Sequence, residues 1–396
     1  MLTPEYLKTL PDNMLLLFEN MEDDIIADVA RRISKNVALT STADYQMKIL
    51  VELGYNMDDV KKRVAETLNI AVIEVDKLIL DSAELSYQSD IELYQLGQKY
   101  LPPLAENIAM VKMIDAYKKQ TLDYLDNLSG TFGFIDSGKF KVVDSFYHDT
   151  LNKAVLQVTT GAYSYDDAIR MAVKGMGDQG IRSIEYASGK NFTIEHVSRM
   201  CTLTGVNQIA GKMSEMNADD LDQDIMEITA HPGARPTHAY WQGQLVSRSG
   251  QIGYLTLSDI GHGDVQGFMG ANCRHNWYPF FPGISTPNWT RDKLDNIDVD
   301  PFEFQGKTYS AYEASQKMRQ IERTMRKTKK GMIAFQAAGL DRDFQAASIR
   351  LRQQKDLYKD FTKTGGLKEQ NVRHQTYDYG KSIAQKGVWA EKKSRK

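Results

Sequence analysis

The stretch from His231 to Trp289 constrains this chain most, because it holds four of the seven His, three of the four Trp and five of the ten Pro. Proline removes a backbone donor and fixes φ, so neither a long helix nor a central strand can run through Pro232, Pro236, Pro279, Pro282 and Pro287. Trp241 and Trp277 nonetheless bury large side chains with few rotors. Together these demands predict an irregular, tightly folded segment whose backbone is fixed by side-chain hydrogen bonds.

The flanking sequence reads mainly as helix. Phe18, Met21, Ile25, Val29 and Ile33 recur at steps of three and four, with Glu19, Asp23, Asp28 and Arg32 opposite. Val60, Val64 and Leu68 form a second stripe after a cap at Asn56, and Val75, Leu78 and Ile79 form a third after an interruption at Asn69. That spacing has a helix-turn-helix outline, but the second helix carries Lys77 as its only cation, so plain helical packing is expected rather than DNA reading. Pro102 and Pro103 mark a joint before a helix over 108–128. Glycines, aromatics and β-branched residues from Gly130 suit short strands, and helices follow over 165–180 and 193–216. The segment DIMEITAH reads as a strand, and 312–330 and 341–361 as two basic helices around Gly331 and Gly339.

The expected fold class is helix-rich α+β. A helical region spans 1–130, a compact mixed middle domain with the loops spans 131–300, and a basic helical arm with a polar tail spans 301–396. At 396 residues a prior of roughly 150 per domain allows two or three such units. Hydrophobic residues at 42% and charged residues at 26% fit a globular chain rather than a disordered one. No membrane anchor is expected, since no run approaches ~18 apolar residues, and the short run Met14–Phe18 without a basic leader is no secretory signal. Two cysteines, Cys201 and Cys273, cannot build a disulfide framework.

The net charge of −3 conceals two opposite halves. Residues 307–396 carry 22 Lys and Arg against 9 Asp and Glu, a net of +13, so the remainder, with 27 against 43, carries −16. Arg319, Arg323, Arg326 and Lys330 share one face of the first basic helix, with Lys327 beside them. An exposed face of this kind can neutralise phosphates without reading bases. The same face can instead pair with the acidic front half of the chain or with an acidic neighbour.

Certain tokens then recur in a recognisable order: His231, Gly233-Ala-Arg235-Pro236, His238, Trp241-Gln242-Gly243, Gly263-Asp264, Asn272-Cys273-Arg274-His275 and Pro279-Phe-Phe-Pro282. This order resembles the signature of the phage minor capsid protein 2 family, grouped with the Mu F-like head-morphogenesis proteins of tailed phages and prophages. The likeness extends through SYDDAIRMAVKGMGDQGIRSIEYASGK and TGVNQIAGK upstream and YEASQKMRQIERTMRK downstream. It implies a structural, non-enzymatic head protein of the virion, in the capsid interior or near the portal, assembled in the host cytoplasm without a cofactor. The implied partners are portal, capsid and scaffold proteins, with double-stranded viral DNA as a further contact. Some members have a second cysteine before the Asn-Cys-Arg-His token, where this chain has Phe268 and Met269.

The signature residues admit three chemistries. His231, His238, Cys273 and His275 are zinc-ligand types, although the Cys-x-His spacing is tighter than in usual structural sites. Cys273 with a nearby imidazole oriented by Asp264 has the composition of a nucleophilic pair. The favoured reading is architectural: Arg235, Gln242, Asn272 and Arg274 tie loops together by hydrogen bonds while Trp241 and Trp277 fill the space between. A metal-dependent hydrolase would require the four His and Cys residues to converge around one cavity. A nucleic-acid-binding module would require the C-terminal cations to form one exposed stripe. Walker, Rossmann and Gly-x-Ser-x-Gly motifs are absent.

Overall fold

The computed structural model describes residues 2–37, 42–129, 132–136, 138–143, 145–147, 149, 150, 152, 153, 165–184, 191–193, 202, 203, 205–376 and 383–387. It is helix-rich α+β. Ten helices are named: α1 (Pro4–Thr9), α2 (Asp12–Val37), α3 (Thr42–Leu96), α4 (Ile108–Ser129), α5 (Tyr165–Gln179), α6 (Gly205–Asp220), α7 (Pro236–Ala239), α8 (Arg291–Asp295), α9 (Ala311–Ala338) and α10 (Asp341–Thr364). Strands β1 (Phe132–Asp136), β2 (Lys139–Val142), β3 (Arg182–Ile184) and β4 (Asn191–Thr193) form an antiparallel sheet in the order β2-β1-β3-β4. A second sheet has the order β7-β6-β5-β8, built from β5 (Ile225–Ile228), β6 (Leu245–Ser247), β7 (Leu255–Thr256) and β8 (Trp277–Pro279). The hairpin of β9 (Phe302–Phe304) and β10 (Lys307–Tyr309) stands before α9, where the sequence pattern pointed only to helix.

The helix-turn-helix outline does not survive. α3 is one continuous helix of 55 residues, about 80 Å long at 1.5 Å per residue. Val60, Thr67, Ala71, Val75, Ile79, Ala83 and Tyr87 are buried along one side of it. Asn69 is exposed on the other side, and its propensity deficit of a few tenths of a kcal/mol cannot break so continuous a stripe. Of the helix expected over 193–216, the described part is Gly205–Asp220, with Thr202 and Leu203 also helical before it; Thr193 closes β4, and residues 194–201 and 204 lie outside the described residues.

Gly331 does not separate two helices either. α9 starts at a capping box between Ser310 and Glu313, runs through Gly331, and ends where Gly339 turns left-handed at φ 74°. Gly331 is a contact residue: a Cβ on Gly177 of α5 would lie 2.8 Å from its Cα, so glycine at 177 lets α5 and α9 approach this closely.

Phe18, Met21, Ile25, Val29 and Ile33 of α2 are all buried, in a core that also takes in Met176 of α5, Met325 and Met332 of α9, and Leu351 and Phe361 of α10. Glu19, Glu22, Asp23 and Asp28 are buried as well, because α9 lies against the acidic side of α2. Arg326 Nη1 meets Glu19 Oε1 at 3.2 Å, and Lys330 Nζ pairs with Glu22. Glu22 Oε1 also accepts the Ile181 backbone N–H at 2.7 Å. Burial opposes the Lys330 charge, but Glu22, Asp23 and Glu19 outweigh it and hold its pKa above the ordinary lysine value. The neighbouring Lys329 is pulled down to about 8 by burial and by Lys355, and donates to the His374 carbonyl.

This corrects the reading of Arg319, Arg323, Arg326 and Lys330 as one exposed cationic face. Arg326 is 7% exposed and Lys330 is locked to α2, whereas Arg323 and Lys327 face solvent and Arg319 is half-buried. Removing one partner of a buried pair leaves the other charge uncompensated, at a cost of about 3–5 kcal/mol. Arg326→Gln and Lys330→Gln are therefore expected to lower unfolding free energy by about that amount in urea melts, and Arg323→Gln by less than about 0.5 kcal/mol. Equal, small effects at all three positions would return Arg326 and Lys330 to the surface.

Candidate functional site

The second sheet gives the signature residues a rigid edge. β5 pairs on one side with β6 and on the other with β8, so Ile228 lies opposite Trp277. Beyond the strand end, Thr229 N–H donates to the Asn276 carbonyl at 2.8 Å, and Asn276 N–H donates to Thr229 Oγ1 at 2.9 Å. Pro236 opens the single turn α7 behind Arg235, which presents His238 inward. Trp241 is 1% exposed; its ring lies 4.5 Å from that of His238 and 4.7 Å from that of His275. Gly243 sits at φ 68°, where a Cβ would strike Leu294 and Trp289. Gly233 donates its N–H to Asp298 at 2.7 Å.

Gln242 is the hub. It is 4% exposed, and its Oε1 accepts from the His231 backbone N–H at 3.1 Å and faces His275 Nε2 at 3.3 Å. The backbone donor fixes which end of the amide points inward, so His275 carries its proton on Nε2 and keeps a lone pair on Nδ1. That Nδ1 stands 3.5 Å from Cys273 Sγ. His238 is set in the same way: Nε2 lies 2.8 Å from the Gln266 carbonyl, which only accepts, so its Nδ1 lone pair faces Cys273 Sγ at 4.0 Å. The His275 backbone N–H points at the sulfur from 3.4 Å.

Asn207 on α6 holds this turn from behind, donating to the Cys273 and His275 carbonyls at 3.2 and 3.1 Å. Asn272 precedes it in the left-handed region at φ 56°, which asparagine tolerates better than most residues. Arg235 Nη2 donates to the Ala271 carbonyl at 2.8 Å, and His231 Nδ1 lies 3.0 Å from both Arg274 Nη2 and the Pro232 carbonyl. Three of the four candidate ligands therefore converge. Among the described residues, His238, Cys273 and His275 form the one group of metal-ligating side chains, their ligand atoms within 4.8 Å of one another and all buried. His231 stacks on His275 at 4.4 Å but turns its Nδ1 to Arg274, outside the group.

Burial pulls the pKa of all three imidazoles down. His231 falls to about 3 with Arg274 as the second cause, His275 falls well below its ordinary value, and His238 is lowered more modestly. The Cys273 thiol is pushed up by burial, against the pull of the His275 and Met269 backbone and of Arg235 and Arg274. A nucleophilic pair needs the opposite shift and access for substrate. Asp264 does not orient an imidazole: Gln266 and Gln242 do, and Asp264 instead lines a cavity of about 640 Å³ between α4, α6 and residues 262–271. None of His231, His238, Cys273 and His275 lines that cavity, so the geometry a hydrolase requires is not met there. Across the cavity, His262 Nε2 pairs with Glu215 at 2.5 Å. Asn207 and the Gln266 carbonyl are the functional partners that sequence reasoning missed; Asn207 lies in the quoted TGVNQIAGK stretch, but without a role.

Such an arrangement defines a helix-rich protein whose signature side chains lock loops around a buried node. The phage minor capsid protein 2 family matches residues 2–363, nearly the whole chain, and the chain belongs to it. It is similar to a protein described as "Structural protein" from Lactococcus phage LL-H, with 25% identity over 273 residues covering 66% of this chain and 72% of that one. No solved structure matches the chain significantly.

His231 supplies a pH test. Its folded-state pKa of about 3 lies below the unfolded value of 6.5, so folding keeps the ring neutral and its contribution is lost as pH falls from 6.5 toward 3. Between pH 7 and 5 this amounts to about 2 kcal/mol. Urea melts of wild type should show that extra acid sensitivity relative to His231→Gln; identical pH profiles would mean that the ring protonates freely in the folded state.

Proposed function

We propose that this protein is a minor structural component of a tailed-phage or prophage virion, located in the capsid near the portal, where it contacts portal and capsid or scaffold proteins. The family match over residues 2–363 carries the reading. The relative described as a structural protein supports it, as does the use of the signature residues to fix loops rather than to form an open reaction site. Its role is non-enzymatic. Among the described residues no helix is long and apolar enough to cross a membrane.

Contact with packaged DNA is the second part of the reading, on a set of residues that shares only Lys327 with the face first expected. A groove of about 320 Å³ between α5, α9 and α10 is lined by Lys174, Lys327 and Arg350 together with Thr324, Thr328 and Gln354. It has three cations and no carboxylate. Such a surface suits phosphates without base recognition.

Mass spectrometry and cross-linking of purified virions test the location. The protein should be present and linked to the portal; absence from washed particles contradicts the proposal. For the DNA contact, the full-length chain should retain duplex of any sequence, with a slope of roughly −0.9 log units of affinity per log of salt for each phosphate neutralised. Changing Lys174, Lys327 and Arg350 together to Gln should lower both affinity and slope. Failure of the full-length chain to bind duplex at low salt would remove DNA from the reading and leave protein partners alone.

A further inference from the structure

We propose that Cys273, His238 and His275 bind one Zn²⁺ ion, through Sγ and the two Nδ1 atoms, and that this ion fastens the signature loops to the second sheet. Sequence spacing argues against a metal here, since Cys-x-His is a short gap; in space the third ligand arrives from α7, 35 residues earlier. Tetrahedral zinc with Zn–S near 2.3 Å and Zn–N near 2.0–2.1 Å separates sulfur from nitrogen by about 3.6 Å. Cys273 Sγ lies 3.5 Å from His275 Nδ1 and 4.0 Å from His238 Nδ1. Small side-chain adjustments would bring all three onto one ion.

Proton counting supports the assignment more strongly than distance does. Gln242 and the Gln266 carbonyl hold the protons of both rings on Nε2, so two Nδ1 lone pairs face one sulfur. A thiol has a single proton and can satisfy only one of them. The other is left as a buried acceptor without a donor, a costly state. One metal ion satisfies both nitrogens and the sulfur together. As the Zn–S bond forms, the S–H bond releases its proton to solvent, and no oxidant or reductant is involved.

The surroundings match what a zinc thiolate needs. Each histidine is oriented through its far nitrogen by a hydrogen-bond acceptor, the usual outer-shell arrangement of metal-bound imidazole. The His275 backbone N–H is directed at the sulfur from 3.4 Å. A mixed nitrogen and sulfur set favours zinc over the hard cations magnesium and calcium. With three protein ligands, a small ligand such as water completes the fourth position.

The test uses full-length protein without an affinity tag, purified without chelator from cells grown with zinc. Elemental analysis should find about one zinc per chain, falling below about a tenth in Cys273→Ser and remaining unchanged in Cys201→Ser. Chelator should lower the melting temperature of wild type. Should Cys273→Ser fail to fold, cobalt substitution of wild type decides the matter. Co²⁺ should give tetrahedral d–d bands and a thiolate charge-transfer band that zinc abolishes and Cys201→Ser retains. Protein free of zinc whose Co²⁺ spectrum lacks a thiolate band would overturn the proposal, as would zinc retained at full stoichiometry in a folded Cys273→Ser variant.

Discussion

The structure depends on a seam of buried charge between α2 and α9. Glu19 and Glu22 on one helix meet Arg326 and Lys330 on the other, and Glu22 also takes the Ile181 N–H. These contacts join residues some 300 positions apart through groups that would be costly to bury alone. Two of the 22 cations from residue 307 onward are thereby paired with the acidic first part of the chain inside the fold. Tyr358 on α10 donates to Glu322 of α9 at 2.7 Å, and Arg170 on α5 reaches Asp343 of α10 at 2.8 Å, extending the same logic to neighbouring helices.

The signature loops solve a different problem. Their backbone has few ladder partners, so side chains perform the satisfaction that strands and helices elsewhere perform for themselves. Gln242, Asn207, Arg235 and His238 each address a backbone group across the loops. Trp241, Phe268 and Trp277 fill the space they enclose. Residues used in this way meet a demand of folding in the first place. Function as a virion component would then rest on the surfaces that this scaffold displays.

Legibility in the sequence followed the range of the interactions. The α2 stripe, the α4 and α10 segments and β5 could be read because apolar periodicity is local. The continuity of α3 through Asn69 was not, since whether a weak residue breaks a helix depends on what packs on either side of it. Gly331 read as a helix end although α9 runs through it, and the reason for glycine at 177 lies in the backbone of Gly331, across two helices. The candidate site was legible as a set of residues and as loop-fixing chemistry. Its inner geometry was not: the approach of His238 to Cys273 depends on the turn at Pro236, and Arg326 could not be told from Arg323 without knowing which side α2 covers.

A double-mutant cycle across the seam tests the central claim most directly. Unfolding free energies would be measured for wild type, Glu19→Gln, Arg326→Met and the double variant. A buried pair predicts a coupling energy of at least about 1.5 kcal/mol that barely weakens between roughly 0.05 and 0.5 M salt. Effects that add to within about 0.5 kcal/mol, or a coupling that vanishes with salt, would contradict it and put the basic helix back on the surface.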